Sequence, residues 1–508
     1  MSLRRLLGAT RWPHRGDLVA GISVALVLIP QSLAYAELAG LPPVHGLYAA
    51  AVAPIAAALI GSSPYLQTGP VALTSLLTLS ALAPLVEPGT ASFAAHAALL
   101  ALVVGVVRLL LGLLRWGAVS YLLSQPVVSA FTVAAAVLII ASQVPPLVDR
   151  DPEATNPFVG AGQALGAPTG WNLTAIAVAA VTVLLVLAGR KLGPWFPGVL
   201  LATVGALLLS AFDVLTVPVV GEIPGGLPPL ALGLPWEALP SLIVPGVVIA
   251  LVGFAEPASI ARKYATMDRQ PWNPNREFTG QGLANVAAGV FSGLPSGGSF
   301  SRSALNRLSG ARTRWSGAIT GVVVLAALPA AGILEDLPTA VLAGLVIAAA
   351  VSLLEIRPFV EAWRCSVPQF AIALLTFAIT LAAAPRIEWG IIAGVVLSLA
   401  VHLWREMRLE VQATQDGATL HLWLNGVLYF ASAPVLEERL LAVLADHPDA
   451  ERVLVHLQGL GRMDLTGMLA LRSVVEHARE SGTRIELCDV PRHASERADR
   501  VLGDLLVR

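Results

Sequence analysis

A chain of 508 residues that is 56% hydrophobic and 13% charged falls far below the roughly 25% charged residues usual in soluble domains, which excludes a wholly soluble protein. A net charge of −1 with no basic stripe excludes a nucleic-acid partner. Residues 1–404 hold 37 charged side chains and residues 405–508 hold 28, so we read a membrane domain over 1–404 and a soluble domain over 405–508, with the boundary near Trp404.

A helix crosses the hydrocarbon with about 20 apolar residues. The first such run, 17–36, follows Arg4, Arg5, Arg11 and Arg15, and Ala34-Tyr35-Ala36 imitates a signal-peptide cleavage site. Pro30-Gln31 interrupts the run and the chain keeps returning to the membrane, so it reads as a retained first helix. Gln31 and Tyr35 stand four apart and share a helix face, and Pro30 frees a backbone carbonyl. They are either binding residues or polar contacts joining two helices. Span two covers 44–60. Span three opens Gln67-Thr68-Gly69-Pro70-Val71-Ala72. Proline after glycine marks a helix start, and Pro84 follows too soon for a full crossing.

Spans four to nine follow at 95–113, 124–142, 172–188, 195–212, 240–261 and 278–294. Span eight contains Glu256. An acid within an apolar span is a functional hypothesis by default; the alternative is a structural salt bridge or hydrogen bond. No basic residue lies one helical turn away, since Val252, Gly253, Ser259 and Ile260 occupy those positions. We read Glu256 as a proton carrier; a sodium site would need several hard oxygen ligands. Span ten, 299–309, opens Pro295-Ser296-Gly297-Gly298-Ser299-Phe300-Ser301-Arg302 and is also short, with Ser299 as its N-cap. Spans at 315–332, 338–355, 368–384 and 388–404 complete fourteen elements. His96 and His402 fall near span ends and carry no assigned role.

Loop charge orients this count. With the N-terminus inside, inner loops collect Arg108, Arg115, Arg190, Lys191, Arg262, Lys263, Arg269, Arg276, Arg307, Arg312, Arg314, Arg357 and Arg364. Outer loops collect only Arg150 and Arg386, with Glu87, Asp149, Asp151, Glu153, Asp213, Glu222, Glu237, Glu335, Asp336 and Glu388. The tail begins inside, at Arg405-Glu406-Met407-Arg408. Splitting the elements seven and seven makes each short one third in its half, and the odd number inverts the second half. A matched pair of interrupted helices in inverted halves points to a transporter binding site near the bilayer midplane. Two helix N-termini meeting there attract an anion, and Arg302 adds a full charge; its alternative is a side chain snorkelling to water.

Pro30-Gln31-Ser32-Leu33-Ala34-Tyr35-Ala36, Gly46-Leu47-Tyr48, Thr68-Gly69-Pro70, Gly298-Ser299-Phe300-Ser301-Arg302-Ser303-Ala304 and Gly310-Ala311-Arg312-Thr313 together resemble the sulfate permease (SulP) family over essentially the whole chain. The resemblance implies an α-helical polytopic membrane protein: two inverted seven-span repeats with two half-helices, divided into core and gate domains, a homodimer in the cell's inner membrane. It implies an anion bound between spans one, three, eight and ten. Carried over by position, Gln31 and Tyr35 line the pocket. Val71 and Ala72, after Gly69, offer backbone N–H groups, and Ser301 and Arg302 start span ten beside Ser299 and Phe300. Glu256 takes a position where an acid accompanies cation-coupled uptake.

The tail reads as a strand at Leu420–Phe430 with an Asn425-Gly426 hairpin turn. A helix follows near Pro434–Asp446, a strand at Arg452–Leu457, and an amphipathic helix at Leu465–Ser481 ended by Gly482. Another strand covers Arg484–Val490 and a last helix Ser495–Leu506. This resembles the α/β STAS domain, placed in the cytoplasm. Asp464-Leu465-Thr466-Gly467 matches the loop where anti-sigma factor antagonists carry a phosphorylatable Ser or Thr, which makes Thr466 the candidate here, although a hydroxyl there also suits a simple cap. Neither Cys365 nor Cys488 belongs to a CxxC or His/Cys sequence cluster, so we expect no disulfide, metal or cofactor, and no catalytic constellation suggests an enzyme. The expected function is secondary active transport of a small anion (dicarboxylate, sulfate or bicarbonate) in symport with protons by alternating access. The alternatives are uncoupled exchange, a channel, or sodium coupling.

Overall fold

The computed structural model describes residues 13–507 apart from 122–123, 151–153, 155, 194–195, 407–408, 481 and 483. Arg4, Arg5, Arg11, Asp151, Glu153, Met407, Arg408 and Ser481, all used in the sequence reading, lie outside the described residues. The chain divides into two compact units, Met1–Val395 and Val396–Arg508. Compactness thus divides the last apolar helix upstream of Trp404, whereas the charge boundary marks where apolar composition ends.

A helix lies at each of the predicted spans. They are α1 Arg15–Leu38, α2 Val44–Ile60, α3 Ala72–Leu82, α4 Ala91–Leu113 and α5 Gln125–Ser142. After a surface helix α6 at Pro157–Leu165 come α7 Leu173–Leu192, α8 Gly198–Ala211, α9 Leu239–Met267, α10 Pro274–Val290, α11 Phe300–Leu308, α12 Trp315–Ala327 and α13 Thr339–Val351. A short amphipathic α14, Arg357–Cys365, precedes α15 Val367–Ala382 and α16 Glu388–Glu406. Six helices, among the described residues, are long and apolar enough to cross a bilayer by length and composition. The main packing falls into two groups. In one, α10 lies on α4 and α2, α12 on α2 and α1, and α9 on α4; in the other, α15 lies on α5 and α13 on α7.

Glycines set the closest of these approaches. On α4, Gly105 faces Gly282 and Val286 of α10 and Gly112 faces Asn275 and Thr279, while Gly289 of α10 faces Ala98 and Leu102 of α4; a Cβ on any of these four glycines would come within 2.6–2.7 Å of the other helix's backbone. Small residues that let backbones touch are the usual means of joining membrane helices. We expect Gly282→Val to yield little folded protein, because its Cβ would meet the Leu109 backbone nitrogen at 2.6 Å and overpacking costs at least about 1–3 kcal/mol. Size-exclusion profiles in detergent check this; a monodisperse variant with wild-type melting behaviour contradicts it.

The charge map needs two corrections. Arg108 is not in a loop but inside α4, fully buried, and Glu388 is a buried member of the first turn of α16, accepting from the Ser80 hydroxyl at 2.8 Å. Both are polar groups turned into the protein and hydrogen-bonded there, as burial demands.

Between α2 and α3 lies β1, Thr68–Gly69, and before α11 lies β2, Gly297–Gly298; the two pair antiparallel. The C-terminal unit is a mixed sheet in the order β3-β4-β5-β7, with β6 also on β4. These are β3 Glu410–Asp416, β4 Thr419–Leu428, β5 Arg452–His456, β6 Leu460–Met463 and β7 Arg484–Cys488. Helices α17 Ala433–Asp446, α18 Leu465–Glu480 and α19 Ser495–Leu502 follow β4, β6 and β7. Buried Leu420, Leu422, Leu424, Val453, Val455, Ile485 and Leu487 pack with Leu436, Leu440 and Leu471 in one core. The Asn425-Gly426 hairpin is corrected. The turn is Gly417-Ala418 between β3 and β4, with Gly417 at φ 60°, while Gly426 sits inside β4 at a register shift, where glycine accommodates a bulge. The cap of α18 is Asp464, whose carboxylate accepts from Gly467 N at 2.7 Å, and Thr466 is exposed beside it.

Candidate functional site

The site grows from two interrupted segments. Pro70 breaks any helix leading into α3 and Gly297-Gly298 disfavours one leading into α11, and each segment enters its short helix from extended backbone, at Val71 and Ser299. Thr68 faces Gly298 and Gly69 faces Gly297 across the two-residue ladder. Ser299 N donates to Gln67 O at 3.1 Å, and Gln67 N donates to the Ser303 hydroxyl at 3.0 Å, lengthening the tie. An antiparallel ladder sends α3 and α11 away in opposite directions. Their first-turn N–H groups, including those of Ala72 and Ser301, have no acceptor within their own helices. Val71 is the N-cap residue of α3 and Ser299 that of α11.

Arg302 lies in the first turn of α11 and is 1% exposed. A snorkelling arginine would reach water; this guanidinium does not. Its Nη2 donates to Pro70 O at 2.9 Å and its Nη1 to Gln31 Oε1 at 3.4 Å, while Nε has no partner. Gln31 and Tyr35 are buried on α1, with Val71, Ala72, Gly69 and Ser299 also buried, and Tyr35 is within coulombic reach of Arg302. Phe300 is 42% exposed and Ser301 is exposed, so the start of α11 faces open space.

Ser299 holds the N-cap position, but its hydroxyl does not cap. It lies 3.2 Å from the Ser301 hydroxyl, and Glu256 of α9 supplies the cap instead, its Oε1 accepting from Phe300 N at 3.2 Å. Sequence spacing showed no basic neighbour for Glu256. The fold brings one, because Arg302 lies within its coulombic reach. Two N-terminal dipoles, a buried guanidinium and one partly buried carboxylate therefore share a small volume.

Sequence reasoning missed the scaffold beneath. Arg108 donates from Nε to Ala250 O at 3.0 Å, from Nη1 to Ser296 O at 2.8 Å and from Nη2 to Ile249 O at 3.2 Å. Gly253 leaves room for it: a Cβ there would meet Nη2 at 2.7 Å. Asn285 accepts from Ser296 N at 2.8 Å and Gln281 donates to the Thr68 hydroxyl at 2.7 Å. Glu277, buried at the start of α10, accepts from Ser62 N and Ser63 N. The available signal was the run Glu277, Gln281, Asn285, polar residues every fourth position of an apolar span. Glu37, partly buried near the end of α1, was also passed over.

The sequence profile of the Sulfate permease family matches residues 15–376, and that of the Mlab, STAS domain matches 411–501. The chain is similar to a probable sulfate transporter of Mycobacterium tuberculosis, 36% identical over 397 residues that make up 77% of this chain and 70% of the relative. Murine Solute Carrier 26 family member A9, an anion transporter in the inward-facing state, shares its fold, with TM-score 0.87 and 19% identity over 98% of this chain and 88% of that one. The transmembrane domain of a cyanobacterium bicarbonate transporter, BicA, matches with TM-score 0.65 and 25% identity over 75% of this chain and 97% of that one.

Proposed function

Because the chain belongs to the sulfate permease family of multi-pass membrane anion transporters, and is no enzyme, we propose that it takes up sulfate or a similar small oxyanion together with a proton. Relatives named for sulfate put that anion first, and the bicarbonate transporter BicA puts bicarbonate second. Dicarboxylates are the third class to test. In this reading the anion sits between the N-termini of α3 and α11. It is held by first-turn N–H groups near Gly69, Val71, Ala72 and Ser301, with Arg302 as counter-charge. Gln31 and Tyr35 shape the wall, and Ser299 and Phe300 form the entrance. Fourteen spans in two inverted repeats, core and gate domains that alternate access, a homodimer, and cytoplasmic termini belong to the same proposal.

One observation carries the coupling: Glu256 accepts from Phe300 N, two residues before Arg302. An ionised Glu256 spends part of the positive potential of the helix end and of Arg302. A proton on Glu256 returns that potential to the anion, so proton and anion each strengthen the other's binding, and the linkage is reciprocal. Glu256→Gln keeps an oxygen for Phe300 N but cannot titrate. We expect it to abolish the acceleration of uptake by an inward proton gradient, while uptake at symmetric pH persists. Liposome uptake of labelled sulfate, bicarbonate and a dicarboxylate, with and without a pH step, measures this. An unchanged pH response in the variant removes Glu256 from the coupling, and a response to sodium alone replaces protons with sodium. Glu37→Gln, in the same assay, should leave the pH response as it was.

A further inference from the structure

The sheet of the C-terminal unit buries one face against its helices and leaves the other half-exposed. On that second face, we propose, His456, Cys488 and Asp489 form a binding site for a divalent transition metal of zinc type, with His421 as the outer partner that orients His456. The inference concerns the soluble unit and is independent of the anion site.

Strand register makes the cluster. His456 on β5 is the direct cross-strand partner of Cys488 on β7. Asp489 follows in the left-handed region at φ 57°, which turns its carboxylate back over the sheet. The His456 Nδ1 lies 2.5 Å from Asp489 Oδ2 and 3.3 Å from Cys488 Sγ, and one ligand atom from each of the three falls within 4.8 Å of the others. Bonds of about 2.0–2.3 Å in a tetrahedral zinc site put ligand atoms about 3.3–3.8 Å apart. The His456–Cys488 distance already suits such a site, and the exposed Asp489 carboxylate has to draw back from His456 Nδ1 by about 1 Å on the same geometry. One imidazole, one thiolate and one carboxylate form a donor set suited to zinc, and three protein ligands leave a fourth position open.

The other ring nitrogen of His456 is also held. Its Nε2 lies 3.0 Å from His421 Nδ1. A metal-bound histidine usually has its second nitrogen fixed by such a partner, which sets tautomer and ring direction. Here metal on Nδ1 requires a proton on Nε2, donated to His421. The Trp423 ring stacks on His456 at 5.0 Å and 8°, fixing the ring plane. A plain His456–Asp489 hydrogen bond would need neither the thiol at 3.3 Å nor the second imidazole. Sequence inspection could not see the cluster, since His456 and Cys488 are joined by register across a helix-bearing crossover.

The test uses the full-length protein, purified in detergent, stripped with a chelator and titrated with cobalt(II) and then zinc. We expect one equivalent of cobalt to give a thiolate-to-metal charge-transfer band that zinc displaces. Cys488→Ser should remove the band, and Asp489→Asn and His421→Ala should each weaken zinc binding about 10- to 100-fold, as losing a ligand or its outer partner does. Cys365→Ser, at the exposed second cysteine, should change nothing. No band in the wild-type protein overturns the proposal. So does a band that survives Cys488→Ser, or zinc affinity unaffected by all of the cluster variants.

Discussion

Replacing Arg302 with alanine lowers anion affinity about 10- to 100-fold, the loss expected for charge-assisted hydrogen bonds of about 1.5–3 kcal/mol in a buried site. The reasoning is local. Arg302 is 1% exposed, yet its Nε has no partner and the remaining contacts are one carbonyl and one long bond to Gln31. A buried cation with an incomplete set of acceptors is costly; an ionised Glu256, within coulombic reach, offsets only part of that cost, and in the proposed reading a transported anion supplies the rest. Calorimetric titration with sulfate and liposome uptake measure the loss, while thermal unfolding in detergent reports whether the protein remains folded. Arg302→Lys should recover part of the affinity, because an ammonium keeps the charge without the planar fork. A folded alanine variant with wild-type affinity would show that the guanidinium serves only to tie α11 to Pro70.

Arg108→Leu should destabilise the membrane unit by about 2–4 kcal/mol, since three charge-assisted hydrogen bonds vanish and part of a buried volume empties. Its partners lie on α9 and on the segment leading into β2, so the damage should reach transport through geometry. We expect a lower melting temperature and reduced uptake at every pH, with the pH dependence itself unchanged, because Arg108 donates to carbonyls and leaves Glu256 alone. A double substitution of Arg108→Leu with Gly253→Ala, which fills the space beside the missing guanidinium, should regain some stability. A single variant with unaltered melting would mean that Ile249, Ala250 and Ser296 find other donors.

Much of the membrane unit was legible because hydropathy over about 20 residues is a strong signal, and the short helices announced themselves through Gly69-Pro70 and Gly297-Gly298. What escaped notice depended on direction and distance. Arg108 sits five residues from the end of α4, where an arginine pointing outward and one pointing inward look the same in sequence. Glu256 seemed to lack a basic neighbour because the window examined was one turn of its own helix; the neighbour belongs to α11. Strand β3 went unread because its burial pattern is mostly exposed, so alternation of apolar residues was too weak to mark it. Asn425-Gly426 suggested a turn by composition, and the alternation of Leu420, Leu422 and Leu424 was the better guide, since it runs through to the glycine without a break.

The ladder of Thr68–Gly69 with Gly297–Gly298 has a bearing on biogenesis. Its two strands are far apart along the chain, so the proposed anion site stays half-built, without Ser301, Arg302 or the α11 N-terminus, while only the first half has left the ribosome. Loop closure over such a separation adds entropy only slowly with length, but contacts this non-local delay assembly. Until β2 emerges, β1 presents unpaired backbone groups inside an apolar environment, where each costs several kcal/mol. Nascent α1 to α4 should therefore sit loosely inserted, shielded by the insertion machinery or its chaperones, and the late arrival of residues 297–302 should lock them into place.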